Sequence, residues 1–463
     1  MNPTRRRRQA MKKISLWAVC TALVWTASPS AFAVNDLLAP KQEEGAPLWS
    51  HLVKPSLRTR LQYDDNVTTS KPKDEAWGGI FGPKVAFKLP YEKSYVGADA
   101  EYVGRYYGGR EANDRADNDV FVDTAMRHDF TDRLSAGLKQ YFAYQQQPAV
   151  TKPATPNFQK PITLDDKANY ALFVNTFGLD YRINKWLSVD ATHDLEIVDF
   201  QASNKLVSSS LNEMENKLGF DVNYRMWTDT LFGVGYRFTK GDYETVDKDF
   251  TSHLVSAVLR HRMAKDVIIY GRVGYEYRAP VQRKYIALSS QTVTLNNIPG
   301  TDVTSSNNKN RSNDPYVEFD LTYLFTQATQ IKVGYKLKVQ NTEQPAFFDR
   351  KVQGVYGTLT HRLTRKTQLL FFGSQEKSDF RNNRVFDAFT PINENLMKFG
   401  FLITQQLKPW MFLELGYRYV DSDSQFSRFA TSGINRSPGQ FSNGGANSDY
   451  TRNRVFSGVY LTF

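Results

Sequence analysis

The chain has 463 residues, of which 14% are aromatic and 23% charged, a length that suits two or three soluble domains or one large barrel. Its formal charge is +11, but residues 1–33 hold six basic residues and no acid, so +11 − 6 = +5 remains on the rest. This mild surplus, with both signs interspersed, does not indicate a nucleic-acid partner. Beyond the N-terminal region no run approaches about 18 apolar residues, which excludes a bundle of membrane-spanning helices.

The N-terminus has the three parts of a secretory signal peptide. A basic segment precedes an apolar run, and Ala31-Phe32-Ala33 follows as the cleavage site. We therefore predict that residues 1–33 are removed on export, together with Cys20, the one cysteine of the chain. Residues 34–56 are polar and contain prolines, and we expect a short periplasmic extension there. A mobile tail is the preferred form of this segment, and a plug that enters the barrel is the alternative.

Alternation of apolar with polar or small residues dominates the rest of the chain, residues 57–463. The clearest example is 216–238, where two long segments flank the short turn Trp227-Thr228-Asp229. Because side chains on a strand point alternately to opposite faces, each segment is a strand with one apolar and one polar face. Soluble sheets rarely contain strands so long and regular. The same period of two recurs to the C-terminus, and no helical period competes with it.

Short and long connections alternate between these segments. The short turns are predicted near residues 90–93, 131–132, 184–185, 227–229, 265–266, 327–329, 365–366 and 408–409. The long connections, such as 147–168, 282–313 and 424–451, are polar. Eight short turns, with both ends of the sheet on the turn side, give 2 × (8 + 1) or about 18 strands. We predict an all-β fold, a transmembrane antiparallel up-and-down β-barrel of the bacterial outer membrane, with short periplasmic turns and long extracellular loops. Sixteen strands is the alternative.

The C-terminal segment 454–463 ends on Phe463, with apolar residues in step at 455, 459 and 461. This pattern resembles the C-terminal signal of bacterial outer-membrane proteins. The expected partners are therefore outer-membrane lipid and the barrel-assembly machinery.

Charged residues fall on the alternate positions that would face the lumen of such a barrel. Only a closed sheet satisfies its backbone groups in hydrocarbon, so the apolar faces contact lipid and the polar faces line a water-filled lumen. The candidate residues of a substrate path are the inward cations Arg58, Arg60, Arg237, Arg260, Arg262, Arg272, Lys332, Lys336 and Arg418. One interpretation is that they are solvated or paired with lumen carboxylates. The other is that six of them, from 237 to 336, form a strip that attracts anions.

No constellation of catalytic or metal-binding residues is apparent in the sequence. The six histidines are scattered, and His253 and His261 would lie about 26 Å apart on one strand at roughly 3.3 Å per residue, too far for a shared metal. We predict neither enzymatic activity nor a cofactor nor a metal. A Ser–His–acid hydrolase assembled from different strands is the alternative.

One short motif points to a family. The sequence Tyr63-Asp64-Asp65-Asn66-Val67, followed by barrel hairpins, resembles the β-barrel porin 2 family of outer-membrane proteins associated with exopolysaccharide and capsule gene clusters. The resemblance implies a pore that exports an acidic exopolysaccharide or capsular polysaccharide. Its partners would be the polysaccharide chain and periplasmic or inner-membrane synthesis or co-polymerase proteins. From the residues alone, the motif opens the first external loop, because Asp and Asn favour turns.

Two further functions fit the same barrel. The main alternative is a general or small-solute diffusion porin, which needs no protein partner. A barrel that serves as an adhesion scaffold or an enzyme is the third hypothesis.

Overall fold

The computed structural model describes residues 52–67, 75–108, 116–146, 169–201, 212–244, 249–281, 312–326, 328–341, 347–382, 392–424 and 450–463. The predicted signal peptide, almost all of the extension 34–56 and most of the long loops lie outside these ranges. Within them, no helix has the length and apolar character needed to cross a membrane.

The described residues form eighteen β-strands. They are β1 (Val53–Asp64), β2 (Ala76–Pro90), β3 (Ser94–Tyr107), β4 (Ala116–Asp129), β5 (Leu134–Gln145), β6 (Asn169–Arg182), β7 (Leu187–Gln201), β8 (Glu213–Trp227), β9 (Thr230–Tyr243), β10 (Phe250–Ala264), β11 (Val267–Pro280), β12 (Ser312–Thr326), β13 (Thr329–Asn341), β14 (Phe347–Arg362), β15 (Thr367–Asn382), β16 (Ile392–Lys408), β17 (Met411–Ser424) and β18 (Tyr450–Thr462).

Every strand pairs antiparallel with its neighbours in the chain, and β1 also pairs with β18, from Ser56↔Thr462 to Asp64↔Arg454. The sheet is therefore a closed barrel, and we call the β1–β18 junction the seam. The predicted fold and the count of eighteen strands are confirmed. All eight short turns fall where the sequence predicted them. The first strand begins at Val53, four residues before the predicted start of the barrel.

The two faces of the wall differ in chemistry as the alternation predicted. On β9 the side chains of Phe232, Val234 and Tyr236 are exposed on the outside, whereas Gly233 and Gly235 are buried on the inside. An outward charge at mid-bilayer costs about 2–4 kcal/mol in such barrels, so apolar outward residues are favoured there.

Small inward residues let long polar side chains cross the inner surface of the β8–β9 hairpin. A Cβ atom at Gly233 or Gly235 would overlap with the side chain of Asn223 or Asp221 on β8. The glycines therefore allow close approach of inward groups, which agrees with the view that such residues relieve crowding in a curved sheet.

The strands are longer than the bilayer requires. They run from 12 residues in β1 to 17 in β16, whereas a tilted transmembrane strand needs about 9–11. With short turns on the periplasmic side, the surplus places the loop ends of the strands outside the hydrocarbon layer. The buried carboxylates of Asp64 and Asp349, described below, lie at these external ends.

Candidate functional site

The nine predicted lumen cations fall into two groups on opposite sides of the barrel. Arg58 and Arg60 on β1 and Arg418 on β17 flank the seam. The other six lie on β9, β10, β11 and β13. Since β1 and β10 are nine strands apart in an eighteen-stranded barrel, the two groups face each other across the lumen.

The first group belongs to a larger basic surface, the inner face of β16, β17, β18 and β1, which we call the seam wall. Above its periplasmic end it carries six cations, namely Arg58, Arg60, Lys398, Arg418, Arg452 and Arg454. The described inward carboxylates of the same strands are Asp64, Glu394 and Glu414. Six cations against three carboxylates leave the seam wall with a positive surplus.

Three members of this surface, Lys398, Arg452 and Arg454, were not predicted from the sequence. Lys398 is in step with the inward Gly400, and Arg452 is in step with Arg454 on β18. The period of two therefore contained the signal for Lys398. Arg452 lies before the predicted start of the last strand at Arg454, whereas β18 begins at Tyr450.

Glu414 orders the lower part of the seam wall. Arg60 donates hydrogen bonds of 2.8 Å from Nε and 2.6 Å from Nη2 to its Oε2 atom. Arg58 lies 3.5 Å from the same carboxylate and 3.5 Å from Glu101. The guanidinium of Arg60 also stacks over the ring of Phe456 at 4.5 Å. These contacts hold both arginines against the wall.

The opposite group is largely neutralised by neighbouring carboxylates. Arg272 donates a 2.6 Å bond to Asp221, and its side chain is almost completely buried. Lys332 lies 3.6 Å from Asp320, and Lys336 lies 3.4 Å from Glu318. For these three residues the paired interpretation of the sequence agrees with the geometry.

Arg237, Arg260 and Arg262 differ from these three. Among the described residues, none of them has an ion pair with a carboxylate. Arg260 is exposed to the lumen, and its guanidinium lies 5.6 Å from the ring centroid of Tyr270. Three of the six cations in the strip predicted from residue 237 to residue 336 are therefore paired with carboxylates. The greater surplus of positive charge lies on the seam wall.

Side chains narrow the external mouth above the opposite group. Asn341 on β13 donates a 3.5 Å bond to Glu215 on β8, five strands away around the barrel. The buried Asp349 contacts Arg278 at 3.5 Å and also binds Arg381. Side chains of β8 and β13 therefore meet at the external mouth in this sector.

The motif at residues 63–67 forms a clasp across the external end of the seam. The carboxylate of Asp64 is fully buried and accepts hydrogen bonds from two arginines of β18. Arg452 donates from Nη2 at 2.6 Å, and Arg454 donates from Nη2 at 2.9 Å. Asp65 accepts bonds of 2.5 Å and 2.8 Å from the backbone and side chain of Asn453. We call these four strand-joining contacts of Asp64 and Asp65 the seam clasp.

The remaining residues of the motif support this clasp. Asn66 donates from its backbone to Asp64 at 3.2 Å and from its side chain to the carbonyl of Thr451 at 3.0 Å. Val67 is buried in a small apolar cluster. The hydroxyl of Tyr63 donates a 2.6 Å bond to Glu75 at the far side of the loop. The motif does open the first loop, and it also ties β1 to the last strand.

Phe463 lies at the opposite, periplasmic end of the seam. Its backbone N–H donates a 2.9 Å bond to the carbonyl of Pro55, and its side chain is exposed on the outer face. The assembly signal remains a prediction.

No described group of three or more His, Cys, Asp and Glu side chains is arranged to hold a metal ion. His253 and His261 both lie on the outer face, where they contact Tyr236 at 2.7 Å and Thr230 at 2.8 Å.

Residues 39–226, which include β1 to β7 and all of β8 except Trp227, match the family model described as "Putative beta-barrel porin 2". Together with the closed sheet, this match identifies an outer-membrane β-barrel. Porins are channels, and this description agrees with the prediction that the chain is not an enzyme.

Solved outer-membrane barrels resemble the chain over most of its length at low identity. OpdK from Pseudomonas aeruginosa is 12% identical, with 89% of this chain and 99% of that chain covered and a TM-score of 0.45. OccAB3 from Acinetobacter baumannii is 9% identical, with 89% and 98% covered and a TM-score of 0.42. The ferric-catecholate import receptor Fiu from E. coli K12 is 9% identical, with 88% and 81% covered and a TM-score of 0.39.

Proposed function

We propose that the barrel is a diffusion porin for small anionic solutes. The observation that carries this proposal is the surplus of positive charge on the seam wall, where six cations accompany three carboxylates. A fixed positive surface lowers the barrier for an anion and raises it for a cation within a Debye length, about 8–10 Å at physiological salt. The cations of the seam wall run from Arg58 on the periplasmic side to Arg452 near the exterior, where Arg452 and Arg454 are held by Asp64, so the surplus extends over most of the height of the wall.

The external narrowing supports a small solute. The contact between Asn341 and Glu215 brings side chains of distant strands together at the mouth. A sugar polymer would have to pass this constriction as a continuous chain, whereas a small solute needs only a gap beside it.

Export of an acidic exopolysaccharide is the second candidate, and it rests on what the family resemblance of the sequence implies and on the same basic wall. The motif at residues 63–67 gives it less support than the sequence suggested, because the seam clasp explains Asp64, Asp65 and Asn66 structurally. Residues that close the barrel carry no information about its cargo.

The test is the reversal potential of single channels of the purified protein in a KCl gradient. We expect the wild type to prefer chloride over potassium. The double variant Lys398→Gln/Arg418→Gln removes two cations of the seam wall and should lower the anion-to-cation permeability ratio several-fold. The control is Lys185→Gln, which removes a cation from an exposed periplasmic turn beside Trp186. An unselective wild type, or a double variant that behaves as the control does, would overturn the proposal.

A deletion strain separates the two candidate functions. A small-anion porin predicts slower uptake of small anions and a normal yield of secreted polysaccharide. Loss of the secreted polymer, with uptake unchanged, would instead support export.

A further inference from the structure

Four apolar side chains form a patch on the inner wall of the barrel, where the seam wall meets β15. They are Leu370 and Phe372 on β15, Leu402 on β16 and Phe456 on β18. The strand register makes them neighbours, because Leu370 pairs with Leu402, and Gly416 on β17 pairs with both Leu402 and Phe456. We call these four residues the lumen patch.

Two glycines leave room for the aromatic rings of the lumen patch. Phe372 pairs with Gly400, and a Cβ atom at Gly400 would lie 2.6 Å from the ring of Phe372. A Cβ atom at Gly416 would overlap with the ring of Phe456. The rings therefore lie over bare backbone and join the two leucines in one apolar surface.

The lumen patch is open, whereas a comparable row elsewhere on the inner face is closed. All four of its side chains are partly exposed. The other apolar row runs across β4 to β7 and is buried; its members are Phe121, Ala143, Leu172 and Val198. The interior of a large barrel is ordinarily polar. Contiguous apolar surface that stays open to such an interior is typical of a binding surface.

Two cations border the lumen patch. Arg418 on β17 lies in the same row as Phe372, with Gly400 between them. Lys398 lies one row nearer the exterior, two residues before Gly400 on β16. Positive charge is therefore fixed directly beside the apolar surface.

The carboxylates near Lys398 pair with another residue. Glu376 on β15 and Glu394 on β16 lie 3.8 Å and 3.4 Å from Arg350. Within the described part of the chain, Lys398 itself has no ion pair with a carboxylate. Its ammonium group is thus available to a solute that reaches the lumen patch.

We propose that the lumen patch, with Lys398 and Arg418, binds a small organic carboxylate that has an apolar body. The carboxylate meets the two cations, and the apolar body covers Phe372 and Leu402. From β15 to β18 the patch is about 14 Å wide, at roughly 4.8 Å between neighbouring strands, which suits a body of several carbons. Removal of that body from water favours binding, and a compact hydrated anion gains no such contribution. This inference rests on the proposed function, since it names the class of anion that the porin selects.

The test is block of the single-channel KCl current of the purified protein by two carboxylates of equal charge, hexanoate and acetate. We expect hexanoate to block the wild type at a concentration several-fold lower than acetate, because only its longer chain covers the lumen patch. The double variant Leu370→Ser/Leu402→Ser should remove this difference. The matched control is Val174→Ser on β6, another partly exposed apolar residue of the inner face, which should behave as the wild type does.

A second variant separates the contribution of charge from that of apolar surface. Lys398→Gln/Arg418→Gln should weaken the block by hexanoate and by acetate to the same degree, because both anions carry one carboxylate. A loss confined to hexanoate would overturn the placement of the carboxylate beside these two cations.

The wild type alone distinguishes failure of this inference from failure of the proposed function. Equal block by hexanoate and acetate, in a channel that prefers chloride over potassium, would overturn the inference and leave the proposed function intact. A wild type with no preference for chloride would overturn both. Equal effects of Leu370→Ser/Leu402→Ser and Val174→Ser would also overturn the inference. Heat-dependent gel mobility of each variant shows whether it is folded, so loss of block is distinguished from loss of the barrel.

Discussion

Individual charges at the external end of the seam are buried and paired across the junction. Asp64 has no exposed surface, and the two arginines that bind it belong to the last strand. Removing one partner of a buried ion pair leaves the other charge without compensation, which costs about 3–5 kcal/mol. Exposed pairs contribute only about 0–1 kcal/mol. The position of a charge, rather than its presence, decides its effect on stability.

The first prediction concerns Asp64→Asn. The substitution keeps the shape of the side chain but leaves Arg452 and Arg454 without their counter-ion, and we expect the urea midpoint of unfolding in detergent micelles to fall markedly. The control is Asp129→Asn, which breaks a 3.0 Å pair with Arg127 in which both side chains are more than 40% exposed. Equal midpoints for the two variants would show that the seam clasp does not stabilise the barrel.

The sequence could predict only part of this local arrangement. Asp and Asn at residues 64–66 indicated a turn, and a turn is present. The contact between Asp64 and Arg452 joins residues 388 positions apart, and nothing in a period of two specifies which charges meet across a junction. Pairing depends on register, and register is visible only once the barrel is closed.

At the scale of the element, the β8–β9 hairpin shows why inward glycines matter. Asp221 on β8 and Arg272 on β11 meet across β9 and β10, and Gly235 lies beneath them. A branched residue normally suits a strand. At this position, however, its Cβ would occupy the space of the Asp221 carboxylate.

We predict that Gly235→Val destabilises the barrel by about 1–3 kcal/mol, the usual cost of overpacking. Gly271→Val is the matched control, because Gly271 faces outward into open space and a β-branched residue there should be neutral or stabilising. The measurement is the free energy of unfolding of both variants in the same detergent. A neutral Gly235→Val would mean that the ion pair rearranges without loss.

The elements themselves were the most predictable level of the structure. Alternation sets each strand and its two faces, and polar turn residues set the eight short connections, so both were located from the sequence. The neutralisation of Arg272 was not, because its partner Asp221 lies three strands away.

At the scale of the whole molecule, the charge surplus of the seam wall faces a more neutral surface across the lumen. Under the proposed function, selection of anions depends on a long-range field in addition to direct contact. Such a field extends about 10 Å at 0.1 M salt but only about 3 Å at 1 M. The lumen of an eighteen-stranded barrel is wide enough to hold water. Dissolved salt ions therefore reach the seam wall and screen its charges.

We therefore predict that the anion-to-cation permeability ratio falls as KCl rises from 0.1 M to 1 M. The ratio is measured from reversal potentials at a constant concentration gradient. A ratio that stays constant over this range would show that anions are selected by contact at the external constriction and not by the field of the seam wall.

The seam clasp also affects the timing of folding. Each hairpin can form once its two neighbouring strands exist, whereas the bonds of Asp64 require residues 388 and 390 positions later in the chain. Contacts of such sequence separation form slowly, and until they form β1 and β18 remain as open sheet edges that invite pairing with other chains. In a nascent barrel that lacks β18, Asp64 has neither of its two arginines. Closure of the seam is therefore the folding step that can occur only once β18, the last strand, is present.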